Sequence, residues 1–135
     1  MPNVLVASKA LIEQDGKYLL IEQKVGNVLV FDLPGGKIRF GETPEQTLHR
    51  EVLEEIKSEI RILKILGVWW FFRKDNEDQV VCLTYLCRLK NHRLDLFANP
   101  SPSEKITRRL WVSKKELTEK FTEESFVNLI NQYEP

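Results

Sequence analysis

The sequence predicts one α+β domain, spanning residues 1–135, in which helices cover both faces of a mixed β-sheet. Three observations support this prediction. Strand-like apolar segments lie on both sides of a well-marked central helix, a second helix signal lies near the C-terminus, and no linker or repeat divides the chain. Periodicity alone leaves other α+β arrangements open.

The part of the chain before the central helix contains three predicted strands. Residues 4–13 and 17–23 are apolar segments on either side of a turn at Asp15 and Gly16, so they predict a β-hairpin. A short strand is predicted at residues 28–32. It leads into a turn at residues 33–36, which we expect to continue as a loop up to the helix.

The central helix is predicted over residues 44–57. Thr43 is a favourable N-cap, Pro44 suits the first helical position, and Gln46 completes a capping box. One side of this helix is apolar and can be buried, and it consists of Leu48, Val52 and Ile56.

Two long strands are predicted after the helix, over residues 60–73 and 79–90, and they form a second hairpin. Residues 91–105 predict a loop because they contain two prolines and few apolar positions. A last strand is predicted at residues 106–112.

Helix-start signals follow this strand. Ser113 and Glu116 form a predicted capping box, and Thr122 is the predicted cap of a C-terminal helix.

Composition argues against several classes of partner. The chain has 20 basic and 20 acidic residues, so it has no general electrostatic reason to bind nucleic acid or acidic lipid. We interpret the basic pairs at 108–109 and 114–115 as solvated surface. The longest apolar run, residues 65–72, is too short to span a bilayer.

Cys82 and Cys87 point to opposite faces of one predicted strand, which suits two buried thiols in a reducing cytoplasm.

Acidic residues are crowded on one side of the central helix. Glu51, Glu54 and Glu55 fall within a sector of about 100°. Like charges at this spacing each cost a few tenths of a kcal/mol, and acids in the last turns also oppose the helix dipole. They are either ordinary solvated glutamates or ligands of a divalent cation that prefers oxygen.

The spacing around these acids is a recognisable signature. Its order is Gly, five residues, Glu, seven residues, then Arg-Glu-aliphatic-any-Glu-Glu, filled here by Gly36, Glu42, Arg50, Glu51, Val52, Glu54 and Glu55. This pattern resembles the box of the Nudix hydrolases, and the surrounding 25 or so residues are similar to MutT-type members. The chain departs from the pattern at Lys57 and Ser58, where the family usually has Gly and an aliphatic residue. We therefore expect a differently shaped helix end.

The resemblance implies an α/β/α sandwich and a Mg²⁺ cofactor, with Mn²⁺ as an alternative. It implies that Glu51, Glu54 and Glu55 bind the metal, and that the carbonyl group of Gly35 completes a site. Glu51 is the favoured general base. Arg50, which cannot give up its proton, is assigned to orienting a neighbouring carboxylate. Glu42 is expected either to form a salt bridge with Arg50 or to bind in an outer shell of the metal.

The implied reaction is hydrolysis of a pyrophosphate bond in a nucleoside diphosphate linked to another moiety. A nucleoside triphosphate, a nucleotide sugar, a dinucleoside polyphosphate and an ADP-ribose-like substrate remain open. The alternative is a non-catalytic nucleotide-binding module with the same fold. A homodimer is compatible with exposed strand edges.

Candidate substrate residues lie mainly outside the box. Trp69 to Phe72 alternate between the two faces of a strand, so Trp70 and Phe72 could stack on a nucleobase, or all four aromatic side chains could pack under helices. Lys37 is a further candidate, and Glu104 is placed where some family members supply another acid to the metals. His49 and His92 are expected to be surface residues.

Overall fold

The computed structural model describes residues 1–73, 77–91 and 106–133. Within these ranges the chain forms seven strands and three helices. The strands are β1 (Val4–Gln14), β2 (Lys17–Val25), β3 (Val28–Asp32), β4 (Gly35–Lys37), β5 (Ile60–Phe72), β6 (Gln79–Leu89) and β7 (Ile106–Val112). The helices are α1 (Pro44–Ile56), α2 (Lys114–Lys120) and α3 (Glu124–Gln132).

The strands form a mixed sheet in the order β3-β2-β1-β6-β5, with β4 also paired to β1 and β7 also paired to β2. β1 and β6 run parallel over nine residue pairs, and the other pairings are antiparallel. Both predicted hairpins are present. β1 and β2 pair only next to their turn, at Glu13–Tyr18 and Gln14–Lys17. Beyond that point the two strands take different partners, so the sheet has a β1 half and a β2 half.

Helices cover both faces of this sheet, as the predicted α/β/α sandwich requires. The core on the α1 side includes Leu48, Val52 and Ile56 of α1, packed against residues of β1, β2 and β6. The core on the opposite side includes Leu117, Phe121, Phe126 and Ile130, which α2, α3 and the segment between them supply. Apolar side chains are therefore removed from water on two faces, which is the main stabilising contribution in such folds.

The two cysteines lie in different cores, as predicted. Cys82 packs on the α2 and α3 side and Cys87 on the α1 side. Burial raises the pKa of each thiol to about 12, so both remain protonated.

The helix starts agree with the sequence in two of three cases. Thr43 and Gln46 form the predicted capping box of α1, and Ser113 and Glu116 form that of α2. α3 differs, because its N-cap is Glu123 and no side chain caps it, so the predicted cap at Thr122 is wrong.

The end of α1 keeps the shape that a glycine would give it. Lys57 adopts a left-handed conformation with φ 54°, and its N–H donates to the carbonyl oxygen of Leu53 at 3.0 Å. The expectation of a different helix end is therefore wrong. The lysine accepts a conformation that costs a non-glycine residue roughly 1 to 2 kcal/mol.

The segment after β3 also differs from its prediction as a turn and loop. Residues 35–37 form β4, which pairs antiparallel with residues 7–9 of β1. Gly35 has φ 137°, and a Cβ atom there would overlap the carbonyl oxygen of Ser8. Only glycine fits this close approach of two backbones.

None of the described helices is both long and apolar enough to cross a membrane.

Candidate active site

The two glycines of β4 lie directly against acids of α1. The backbone N–H of Gly35 donates to Oε1 of Glu55 at 2.7 Å. A Cβ atom on Gly36 would lie 2.5 Å from the carboxyl carbon of Glu51. The close approach of β4 to α1 therefore depends on both glycines, and it places backbone polar groups beside two carboxyl groups.

Glu55 is not a solvated surface acid, since only 2% of the residue is exposed. Burial raises the pKa of its carboxyl group well above the ordinary value, and Asp32 and Glu51 add to that rise. Lys9 and the N–H of Gly35 act in the opposite direction and favour the ionised form. A buried carboxyl group of this kind needs a hydrogen-bond donor or a cation as its partner.

Arg50 connects the other acids of the box. Its guanidinium contacts both carboxyl oxygens of Glu42, at 2.7 and 2.9 Å, and Oε1 of Glu51 at 2.8 Å. Oε2 of Glu54 lies 3.7 Å from the same group. The predicted salt bridge between Glu42 and Arg50 is confirmed, and Arg50 is the present counterion of the acidic face.

Glu42 is fixed by more than one donor. The hydrogen bonds from Arg50, assisted by those from Thr47 and the N–H of Arg39, hold the pKa of the Glu42 carboxyl at about 2. Glu42 is therefore ionised over the whole physiological range and joins the loop of residues 38–42 to α1.

Two buried cations were not expected from the sequence. Lys9 of β1 is only 6% exposed, and its ammonium donates to Oδ2 of Asp32 at 2.8 Å. Arg109 of β7 is 5% exposed and donates twice to the carbonyl oxygen of Glu55, at 3.0 and 2.8 Å. The interpretation of the 108–109 pair as solvated surface is therefore wrong for Arg109. The one signal for Lys9 is a charge within a mostly apolar stretch of strand.

The chemistry of the donor set suits a hard cation. Glu51, Glu54 and Glu55 carry carboxylate oxygens, a ligand type that Mg²⁺ prefers, and Gly35 lies against Glu55 through its backbone N–H. In the described ranges, no three His, Cys, Asp or Glu side chains are already grouped around a common metal position. A cation bound there would be a second counterion for Glu51 and Glu54, in addition to Arg50.

The aromatic run of β5 is divided between the two faces. Trp69 is fully buried and Phe71 packs partly against the same core, whereas 47% of Trp70 and 62% of Phe72 are exposed. The alternative that all four rings pack under helices is wrong.

The exposed rings share a face of the sheet with the acids. Trp70 is in register, through β6, with Val6 of β1. Val6 and Ser8 are two residues apart and so point to the same face. Ser8 pairs with Gly36, against which Glu51 lies. Three strand spacings, about 14 Å, separate the rings from β4.

Of the other residues singled out from the sequence, the structure describes two and leaves two outside the described ranges. Lys37 is exposed at the end of β4, and His49 is exposed on α1, as expected. Glu104 and His92 lie outside the described residues.

A family model places this chain among known proteins. The NUDIX domain model matches residues 2–130, which is nearly the whole chain. The chain therefore belongs to the Nudix family.

Two individual proteins are similar to this chain in sequence. The chain is 34% identical over 82 residues to an ADP-ribose pyrophosphatase of Methanocaldococcus jannaschii, a match that covers 60% of this chain and 48% of that protein. It is 25% identical over 121 residues to a MutT-like protein of Streptomyces ambofaciens, covering 90% and 71% of the two chains. The matched part thus spans about half the length of the archaeal protein.

A solved structure agrees with the sheet and helix arrangement. The Nudix hydrolase of Nitrosomonas europaea superimposes with a TM-score of 0.69 at 26% identity, covering 97% of this chain and 85% of that one.

Proposed function

We propose that the protein is a Mg²⁺-dependent hydrolase that cleaves a pyrophosphate bond in a nucleoside diphosphate linked to another moiety. The observation that carries the proposal is the packing of Gly35 and Gly36 against Glu55 and Glu51, because it brings backbone polar groups close to two carboxyl groups of the family's box. The names of the relatives support the same reaction class, since one is an ADP-ribose pyrophosphatase and another is MutT-like.

Each of the three acids on α1 has a proposed task. Glu51, Glu54 and Glu55 hold the metal, together with the carbonyl of Gly35. When bound, Mg²⁺ would neutralise phosphate oxygens and make an attacking water more acidic. Glu51 is the proposed general base, since it is only partly buried and lies where it can reach water. Arg50 orients Glu51 through its 2.8 Å contact.

The substrate would extend from the acids across the sheet. Trp70 and Phe72 are proposed to stack on the nucleobase, because they are exposed aromatic rings on the same face as Glu51. Lys37 stays a proposed phosphate contact on sequence grounds alone, because it follows Gly36 and so points to the opposite face of β4. Glu104 remains a proposed additional metal ligand on sequence grounds alone.

The cellular setting is also a proposal. The chain has two cysteines, both free and buried, which suits the reducing cytoplasm. Assembly as a homodimer stays a prediction.

A phosphorus NMR panel tests the activity. The panel contains ADP-ribose, nucleotide sugars, dinucleoside polyphosphates, and normal and oxidised deoxynucleoside triphosphates, each with Mg²⁺ and then with chelator. We expect cleavage of at least one compound that stops on chelation. Running the reaction in ¹⁸O-labelled water identifies the phosphorus that is attacked.

Substitutions test the metal ligands. Glu54→Gln and Glu55→Gln each remove one anionic ligand, so we expect kcat to fall by about 100-fold or more. Glu119→Gln is the matched control, because Glu119 is an exposed glutamate of α2 that pairs only loosely with Lys115 at 3.8 Å. Full activity in either box variant would rule out the metal assignment. Tight nucleotide binding without turnover in the wild type would favour the non-catalytic module instead.

A further inference from the structure

Lys9 is a buried cation in a strand that is otherwise mostly apolar. It lies in β1, only 6% of the residue is exposed, and its ammonium donates to Oδ2 of Asp32 at 2.8 Å. Removing an ammonium group from water costs several kcal/mol unless it is paired. Burial alone would lower the pKa of Lys9, but Asp32 and Glu55 raise it above its usual value, so the side chain stays charged.

The ion pair joins the two halves of the sheet. Lys9 belongs to β1, which pairs with β4 and β6, whereas Asp32 ends β3, which pairs with β2. Between Asp32 and β4 the chain passes from one half to the other through residues 33–34. The pair therefore ties the start of this crossing to β1.

The same crossing carries the backbone donor to Glu55. Oδ1 of Asp32 accepts from the N–H of Leu33 at 2.8 Å, and the carbonyl of Pro34 accepts from the N–H of Ala10 at 2.8 Å. The next residue is Gly35, whose N–H bonds Glu55 at 2.7 Å. The position of that N–H thus depends on the contacts that hold residues 32–34 to β1.

Lys9 also acts on Glu55 by its charge. Its ammonium is the positive charge that acts most strongly on Glu55, near which Asp32 and Glu51 place negative charge. The ammonium is held in place by Asp32, so this positive charge is fixed rather than mobile.

We propose that Lys9 is a positioning residue, which with Asp32 fixes the crossing of residues 32–35 and so holds the Glu55 carboxylate ready to bind a divalent cation. The inference rests on the proposed function only in that this site binds a metal.

A competing electrostatic effect has the opposite sign. An ammonium near a divalent cation repels it, so removing Lys9 would tighten metal binding if repulsion dominated. The pair with Asp32 has no net charge, which largely cancels this repulsion. The double variant K9M/D32L removes both charges together, so it isolates the positioning effect from the change in local charge.

Binding of Mn²⁺ alone, followed by electron paramagnetic resonance of the free ion, tests the proposal. We expect K9M and K9M/D32L to weaken Mn²⁺ binding about tenfold, as is typical when an outer-shell partner of a metal ligand is lost. K24M, at an exposed lysine of β2, is the control and should bind like the wild type. The same changes are then made in an E55Q background, which keeps Glu51 and Glu54 as ligands. There they should reduce the affinity for Mn²⁺ by less than about twofold.

Two results would overturn the proposal. The first is that K9M/D32L binds Mn²⁺ as tightly as the wild type or more tightly. The second is that the Lys9 variants lose the same Mn²⁺ affinity in the E55Q background as in the wild-type background. Thermal unfolding in chelator identifies variants that do not fold. If K9M does not fold, D32N carries the test, because it removes the ionic partner at nearly constant volume and its effect must also vanish in the E55Q background.

The proposed activity can fail separately. A wild-type protein that binds Mn²⁺ but cleaves no compound of the NMR panel contradicts the proposed function and leaves the role of Lys9 intact. Equal Mn²⁺ binding by the wild type and the Lys9 variants contradicts this inference alone.

Discussion

Two carboxyl groups of the box have pKa values that move in opposite directions. Burial raises the pKa of Glu55, whereas hydrogen bonds from Arg50, Thr47 and Arg39 lower that of Glu42 to about 2. Divergent environments of this kind separate the tasks of neighbouring acids. Glu42 is suited to holding the loop against α1, and Glu55 is suited to taking up a cation when one arrives.

The pKa of Glu42 predicts a pH effect on stability. An unfolded glutamate titrates near about 4.3, so the ionised form of Glu42 stabilises the folded state. This contribution is complete above about pH 5 and is lost as the pH falls towards about 2, the folded value. Glu42→Gln should therefore be less stable than the wild type at pH 7, and its free energy of unfolding should fall less between pH 5 and 3.

Urea unfolding at several pH values, with chelator present, measures this difference. The control is Glu119→Gln, which removes an exposed acid far from the box in sequence and should keep the wild-type pH dependence. If the free energy of unfolding of the wild type and of Glu42→Gln changed in parallel with pH, the ionised form of Glu42 would not stabilise the folded state.

Some site residues could be predicted from the sequence and others could not. The box spacing predicted Glu51, Glu54 and Glu55 as candidate metal ligands, because side chains on one side of a helix recur at fixed intervals. Lys9 and Arg109 gave no such pattern. Their importance comes from burial and from partners distant in the chain, Asp32 and the carbonyl of Glu55, and these contacts exist only once the strands are assembled.

At the scale of elements, α1 was predictable because residues adjacent in sequence determine where it starts. Thr43, Pro44 and Gln46 supply the cap, and each acts within four residues. Its end was harder to predict, because Lys57 takes the left-handed conformation that glycine usually supplies. Tertiary contacts of α1 therefore outweigh the local preference of lysine at this position.

The helix end gives a prediction about stability. Lys57→Gly removes the strain of φ 54°, and we expect the free energy of unfolding to rise by about 0.5 to 1 kcal/mol after the greater entropy of unfolded glycine is included. Lys57→Ala is the matched control, since it loses the same side chain but keeps Cβ. Urea unfolding in chelator compares the two, and a glycine variant no more stable than the alanine variant would contradict the argument.

At the scale of the whole molecule, the strands were predicted but their neighbours were not. Alternation and turn residues locate each strand, whereas the parallel pairing of β1 with β6 and the insertion of β4 beside β1 join segments far apart in the chain. This arrangement brings the β4 glycines to α1 and leaves part of the same sheet face uncovered. The family resemblance, rather than periodicity, selected the sandwich.

The position of Trp70 on the uncovered part of that face predicts how its removal affects KM and kcat. Three strand spacings, about 14 Å, separate Trp70 from β4, whose glycines lie against the acids. A ring at that distance would contact the base equally in the ground state and the transition state. Trp70→Ala should therefore raise KM about tenfold for the best substrate of the NMR panel, at a stacking energy of about 1 to 3 kcal/mol, and leave kcat within about twofold.

Steady-state kinetics at saturating Mg²⁺ separates these two constants. Leu29→Ala, which truncates an exposed apolar residue of the edge strand β3, is the control and should change neither. Phe72→Ala should behave like Trp70→Ala because the two rings share a face of β5. A fall in kcat with unchanged KM would place the tryptophan at the reacting phosphates rather than at the base. Unchanged kinetics in both aromatic variants would remove the β5 rings from the binding site altogether.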